Sequence, residues 1–460
     1  MSALDQPPGA FRARARDALA AERMQAALDS STLRLYDHRS HAWDGLGDVQ
    51  ALRETARRIR ERTIARLDDH LEAFADAVEA RGGNVFFART AEEARAYVVD
   101  VCTRAGARLA VKSKSMLSEE IGLNAALGAA GVRAVETDLG EYLLQLAGRH
   151  PAHIVAPAIE LTKEDCAELL SRAGGVAVEP ELEALTAAAR RQLREAFQTA
   201  DVGITGANFA VAETGSICLV TNEGNGRLVS SLPRVCISLL GMERVVPTTA
   251  ELAVLLQLLA RSGTGQPLTV YTTLLTGPRR EGEEDGPEES HVVIIDNDRT
   301  NLLRGRYRTM LSCIRCGACL NACPVYRKAG GNAYSDVYSG PMGAVLVPLL
   351  VGLRQAPALP HASSLCGACT AVCPVKIPLH ELLLDLRRDL VAEGVASRRE
   401  RLAFALWSLA WSRPWSYRLT TRAARLGQGV GALAGPGRVW ARAGRALPRL
   451  ARRRYRDRRR

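Results

Sequence analysis

Cys313-Ile-Arg-Cys316-Gly-Ala-Cys319-Leu-Asn-Ala-Cys323-Pro324 sets four thiols at the spacing C-x2-C-x2-C-x3-C-P. A short loop of this kind can wrap its first three thiolates round one face of an iron–sulfur cube. The fourth, a turn further on, points away towards a second cluster. A second motif should therefore exist, and it stands at Ser363-Ser-Leu-Cys366-Gly-Ala-Cys369-Thr-Ala-Val-Cys373-Pro374. Here C-x2-C-x3-C-P repeats, with Ser363 in the place of the first Cys.

Crosswise pairing gives one complete and one incomplete site. Cys313, Cys316, Cys319 and Cys373 supply four ligands for one 4Fe–4S cluster. Cys323, Cys366 and Cys369 supply three for the other, and its fourth iron is left to Ser363, to another donor such as His361, or to nothing. Structural zinc is the competing expectation for C-x2-C pairs, being tetrahedral and closed. Seven cysteines, with Pro after each last one, do not divide into four-ligand zinc sites. The run is the one found in bacterial ferredoxins, so an α-helical two-cluster 4Fe–4S ferredoxin-type domain is expected over 301–390.

A chain of 460 residues is long for one core and predicts two or three domains. Hydrophobic residues at 47% and charged ones at 24% exclude wholesale disorder. No signal-like N-terminus and no bilayer-length apolar run is visible. Clustered thiols call for a reducing interior, so a cytoplasmic location is expected. The formal charge of +11 is local: residues 398–460 hold 18 Arg, no Lys and two acids, a net +16, leaving the rest at −5.

Residues 1–81 read as an N-terminal helical segment. Leu52, Ile59, Leu67, Leu71, Phe74 and Val78 recur at helical spacing, with a solvated charged face between them, up to the stop at Gly82-Gly83. Over 82–300, β-branched runs alternate with helical stretches, which predicts an α/β domain with a largely parallel sheet. Its expected strands are 85–87, 109–111, 132–136, 154–156, 217–220, 235–239, 268–273 and 292–295. Its expected helices are 91–104, 119–130, 181–199 and 249–261. Ser118 is the expected N-cap of the second. The polar stretches Lys112–Glu120 and Thr205–Ser216 fall at strand ends, where open α/β sheets bind ligands. Glu213 can serve there or simply pair with a cation. Neither stretch is a Rossmann or P-loop fingerprint. Cys102, Cys166, Cys218 and Cys236 are scattered singly and are expected to be buried small hydrophobes.

Within 301–390, the apolar run 344–353 is expected to pack as a helix over the clusters. The C-terminal region, 391–460, combines Arg with Trp407, Trp411, Trp415 and Trp440. That is the composition of an interfacial helix on an anionic membrane, and it equally suits a docking site for a partner. Nucleic acid is disfavoured, since no nucleic-acid-binding signature is present.

Beyond the cysteine motifs, several stretches resemble one family together: Lys112-Ser-Lys-Ser, Glu136-Thr-Asp-Leu-Gly-Glu-Tyr142, His153-Ile-Val-Ala-Pro-Ala158, Thr205–Ser216 and Tyr338-Ser-Gly-Pro341. The chain resembles, over nearly its whole length, lactate-utilisation protein B, the iron–sulfur subunit of the bacterial L-lactate oxidation complex. The resemblance implies a lactate-utilisation α/β domain of the sugar-phosphate-isomerase/CoA-transferase-like type, then the ferredoxin-type domain and a basic helical C-terminal region. It further implies electron transfer during oxidation of L-lactate to pyruvate, in a complex with two other lactate-utilisation proteins. A residue such as Ser363 in the eighth position is similar to the family pattern. No catalytic residue is assigned.

Overall fold

The computed structural model describes residues 10–334, 337–395 and 398–427, together with Ala451. The chain divides into two compact units, Met1–Asp389 and Leu390–Arg460. The first opens with four helices, Ala10–Ala20, Glu22–Asp44, Val49–Ala65 and Leu67–Glu79. Ile59, Leu67, Phe74 and Val78 are buried, as their spacing requires. The charged positions between them are not all solvated, however: Arg53 and Arg60 are buried too.

The core of this unit is a six-stranded sheet. Its strands are β1 (Asn84–Ala88), β2 (Leu109–Lys112), β3 (Arg133–Glu136), β4 (Val202–Gly206), β7 (Val235–Gly241) and β10 (Glu289–Ile295), in the order β1-β10-β7-β4-β2-β3. Every pairing is parallel. Helices cover both faces of such a sheet, and so β2, β7 and the end of β10 are apolar almost without interruption. A smaller sheet follows the order β8-β5-β6-β9, from β5 (Phe209–Val211), β6 (Ser216–Thr221), β8 (Val245–Val246) and β9 (Tyr271–Leu275).

Three expectations change. Ile154–Ala156 is not a strand; it turns, with the Val155 and Ala156 N–H groups both donating to His153 Nδ1. The helix expected over 119–130 is two, Met116–Glu120 and Leu123–Ala129, broken at Gly122 (φ 66°). Its N-cap is Ser115, which accepts the N–H of Ser118, so Ser118 itself lies inside the turn.

The chain returns from β3 past β2 to form β4. The direction of winding therefore reverses between β2 and β4, and their carboxyl ends open a crevice. The cysteine loops pack in the same unit, beneath the helix Gly340–Val351, which starts with Pro341 near its N-terminus and is buried along most of its length. Among the described residues, no helix is long and apolar enough to cross a membrane.

Candidate metal centre

The two cysteine motifs fold as repeats of one loop. Arg315 (φ 59°) and Leu365 (φ 56°) occupy the left-handed region before the second Cys position, and Gly317 (φ 77°) and Gly367 (φ 80°) occupy it after. Short helices then begin, Ala318–Asn321 and Ala368–Val372. Non-glycine residues with positive φ are costly and persist where the surroundings demand them. Backbone N–H groups in and just after these loops lie close to sulfur. Arg315 N–H approaches Cys313 Sγ at 3.4 Å, Tyr326 N–H approaches Cys323 Sγ at 3.5 Å, and Ile377 N–H approaches Cys373 Sγ at 3.3 Å. Backbone donors also serve Cys316, Cys366 and Cys369, from Ala318, Ala368 and Thr370.

Cys313, Cys316, Cys319 and Cys373 line one small apolar cavity, together with Ile154 and Met342. Cys323, Cys366 and Cys369 are electrostatic neighbours of one another. Burial, with the neighbouring thiols adding to it, pushes the Cys316 thiol up to about 12 and Cys319 well above its ordinary range. Such crowding suits thiols whose protons are replaced by metal.

Among the described residues, no three of His, Cys, Asp or Glu converge so as to hold a metal ion. A single zinc at a Zn–S distance of about 2.3 Å would need thiolates within about 4 Å of each other. A four-iron cube spreads its ligands wider. Sulfurs round a cavity, with backbone N–H groups aimed at them, fit that larger anionic group.

The sites differ in enclosure. Cys366 is exposed, whereas Cys316, Cys323, Cys369 and Cys373 are buried. Ser363 occupies the position in its loop that Cys313 holds in the other. Its Oγ accepts the N–H of Leu365 at 3.0 Å, just as Cys313 Sγ receives that of Arg315.

Sequence reasoning missed the charged shell. Arg53 donates through Nε and a terminal nitrogen to the Cys373 carbonyl, and Arg39 donates to that of Val372 at 3.0 Å. Arg60 reaches the carbonyls of Val245, Glu243 and Leu311, and Arg244 those of Cys313, Ile314 and Asn208. Beside them, Glu120 holds Arg299 through two hydrogen bonds, at 2.8 and 2.7 Å, and accepts from Tyr338. Glu243 joins Arg299 to Arg315. Burial disfavours the Glu243 carboxylate, but these arginines outweigh it and hold it down to about 2. No spacing rule announces residues gathered from such distant segments.

The crevice at the β2/β4 reversal, about 390 Å³, reaches this shell. Ser113–Ser115, Gly206–Asn208 and Asn225 line one side, and Arg315 and Cys316 the other. Lys114 donates to the Val155 carbonyl at 2.6 Å at its edge. The stretches singled out by the sequence thus meet a cysteine loop in one cavity. Glu213 is not part of it; its side chain accepts from the N–H and hydroxyl of Thr249, at the start of the helix Thr249–Gly263.

A LUD domain model matches residues 71–295, and a 4Fe-4S dicluster domain model matches 309–377. Lactate utilization protein B of Bacillus pumilus is 49% identical over 91% of this chain and 88% of its own length. The protein of that name from a Geobacillus species is 50% identical over 87% and 85%, and that of Bacillus cereus 46% over 92% of each. A solved DUF162 family protein from Deinococcus radiodurans is 16% identical with a TM-score of 0.27, covering 50% of this chain and 98% of its own.

Proposed function

The chain belongs to the lactate utilization protein B family, and we propose on that footing that it is the iron–sulfur electron-transfer subunit of a complex oxidising L-lactate to pyruvate. Two 4Fe–4S clusters bind crosswise, one on Cys313, Cys316, Cys319 and Cys373, the other on Cys323, Cys366 and Cys369. The clusters supply one-electron transfer. The chain's own part is to hold thiolates under N–H groups, exclude water from the first site and leave the second more open at Cys366.

The observation that carries this reading is the sorting of the seven cysteines into the two groups the crosswise pattern requires. The crevice ending at Cys316 adds a place for a small reductant beside the first site. Two other lactate-utilisation proteins complete the complex, and the work is cytoplasmic.

Anaerobically purified complex should contain about eight iron and eight sulfide per copy of this chain. L-Lactate should then generate the EPR signal of reduced clusters. Clusters that dithionite reduces and lactate leaves untouched would mark them as structural, in a ligand-sensing or assembly subunit. Reduction by a different 2-hydroxy acid would make the chain a carrier for another dehydrogenase.

A further inference from the structure

We propose that the buried arginines Arg39, Arg53, Arg60 and Arg244, with the partly buried Arg315, raise the reduction potential of the Cys313/Cys316/Cys319/Cys373 site above that of its neighbour, making it the centre where an electron comes to rest. This rests on the two-site reading above and adds a direction to it.

All five arginines lie within electrostatic reach of a cysteine of that one site. Arg39 feels Cys316 and Cys373, Arg53 feels Cys373, and Arg60, Arg244 and Arg315 feel Cys313. The principal electrostatic neighbours of Cys323 and Cys369 are thiols of their own group, with the Tyr334 hydroxyl at Cys323.

The arginines are also short of anions. Arg39 and Arg60 donate to backbone carbonyls, and Arg53 to carbonyls and the neutral Gln50 amide. Among the described residues, none of these three forms an ion pair with a carboxylate. The Nε groups of Arg39 and Arg60 are buried without an acceptor. Among the described residues, Glu243 is the one carboxylate paired within the group, and Glu120 is taken by Arg299. Burying unpaired charge is expensive, and a cation in such a place calls for an anion. Thiolates on a cluster supply one. A guanidinium is not deprotonated in proteins, so all five stay charged at neutral pH.

Reduction adds a negative charge to a cluster, and nearby fixed cations stabilise the reduced form. Two features of the other site act in the same direction there, namely one thiolate fewer and the exposure of Cys366. The comparison is one missing anion, partly screened by water, against four buried guanidiniums and a partly buried fifth, less one carboxylate. Unscreened charge at low dielectric has the larger effect, and the arginines win.

EPR-monitored redox titration of the anaerobically loaded full chain tests this, with the second site's signal identified as the one altered by Ser363→Cys. The first site should reduce before the second. Arg53→Met and Arg39→Met should each move its midpoint to more negative potential and leave the other in place, while Arg53→Lys stays near the parent value. Should Arg53→Met fail to load, Arg39→Met decides, because Arg39 holds the Val372 carbonyl and not that of a cysteine. Earlier reduction of the second site, or equal shifts in Arg53→Met and Arg53→Lys, overturns the proposal. Iron and sulfide measured on the same samples separate it from the reading beneath it. Absent clusters defeat the two-site reading, whereas loaded clusters with unmoved midpoints defeat only the role of the arginines.

Discussion

Ser363 was legible as a substitution within a repeat, and its place in the loop gives that substitution a consequence. Cys313 and Ser363 each receive the N–H of the residue two positions on, and each of those residues has positive φ. A cysteine at 363 would thus start from the position that Cys313 uses. If Cys323, Cys366 and Cys369 hold a second cluster as proposed, that site, short of a thiolate and with Cys366 exposed, should lose an iron under mild oxidation and show the 3Fe–4S EPR signal. Ser363→Cys should suppress that signal; equal rates of iron loss in parent and variant would place the open iron elsewhere. The arginines were not legible in this way. Arg53 and Arg60 are seven apart, on the same side of Val49–Ala65 as the buried Ala56 and Ile59. A helical pattern containing Arg ordinarily signals a solvated face, because a guanidinium leaves water only for a compensating charge. The carbonyls that receive these two, those of Ala371 and Cys373 for Arg53 and of Glu243, Val245 and Leu311 for Arg60, come from segments far along the chain.

At the level of elements, long apolar strands were read correctly where two-sided burial leaves them few other places to go. β4 was missed, and Gly203 explains why. A Cβ there would meet the Val229 carbonyl oxygen at 1.9 Å, so the helix Asn225–Ser231 can lie on the strand only over glycine. Gly203, Thr205 and Gly206 look like a turn for a reason that exists only in three dimensions. The opposite error befell Ile154–Ala156, whose apolar residues serve as wall to the crevice and the first cysteine cavity. The crossing of the two cysteine motifs was expected because Cys323 and Cys373 each stand a helical turn beyond their own loop. Cys373 lines the cavity of the other motif and takes the N–H of Ile377. Cys373→Ser should therefore deplete the site of Cys313, Cys316 and Cys319 and spare the signal of the Cys366/Cys369 site. Loss of the latter alone would mean that each motif keeps its own fourth thiol.

On the scale of the whole molecule, the first unit gathers buried cations round its thiols, while the second carries its cations with exposed aromatic surface. In the second unit, the helices Arg398–Trp411 and Pro414–Leu426 pair, with Trp407 and Trp411 stacked at 5.7 Å and Tyr417 edge-on to Trp411 at 5.4 Å. Phe404, Trp407, Leu409, Trp411 and Trp415 remain exposed. Trp440 and most of the remaining arginines lie outside the described residues. Exposed Trp and Leu beside many Arg and few acids match a bilayer interface with anionic headgroups, where each Arg adds about 1 kcal/mol to adsorption. We propose that such a surface brings the chain to an anionic membrane. The electrostatic part is screened over about 8 Å at physiological ionic strength, and burial of indole is not. Co-sedimentation with anionic vesicles should therefore weaken with salt without vanishing, fall again on Trp407→Ser with Trp411→Ser, and disappear on truncation after Gly394. Iron and sulfide should be unchanged in the truncated protein, since every cysteine of both motifs precedes the cut. Vesicle binding that survives truncation would move the contact to the first unit, and loss of clusters on truncation would make the tail part of what holds them.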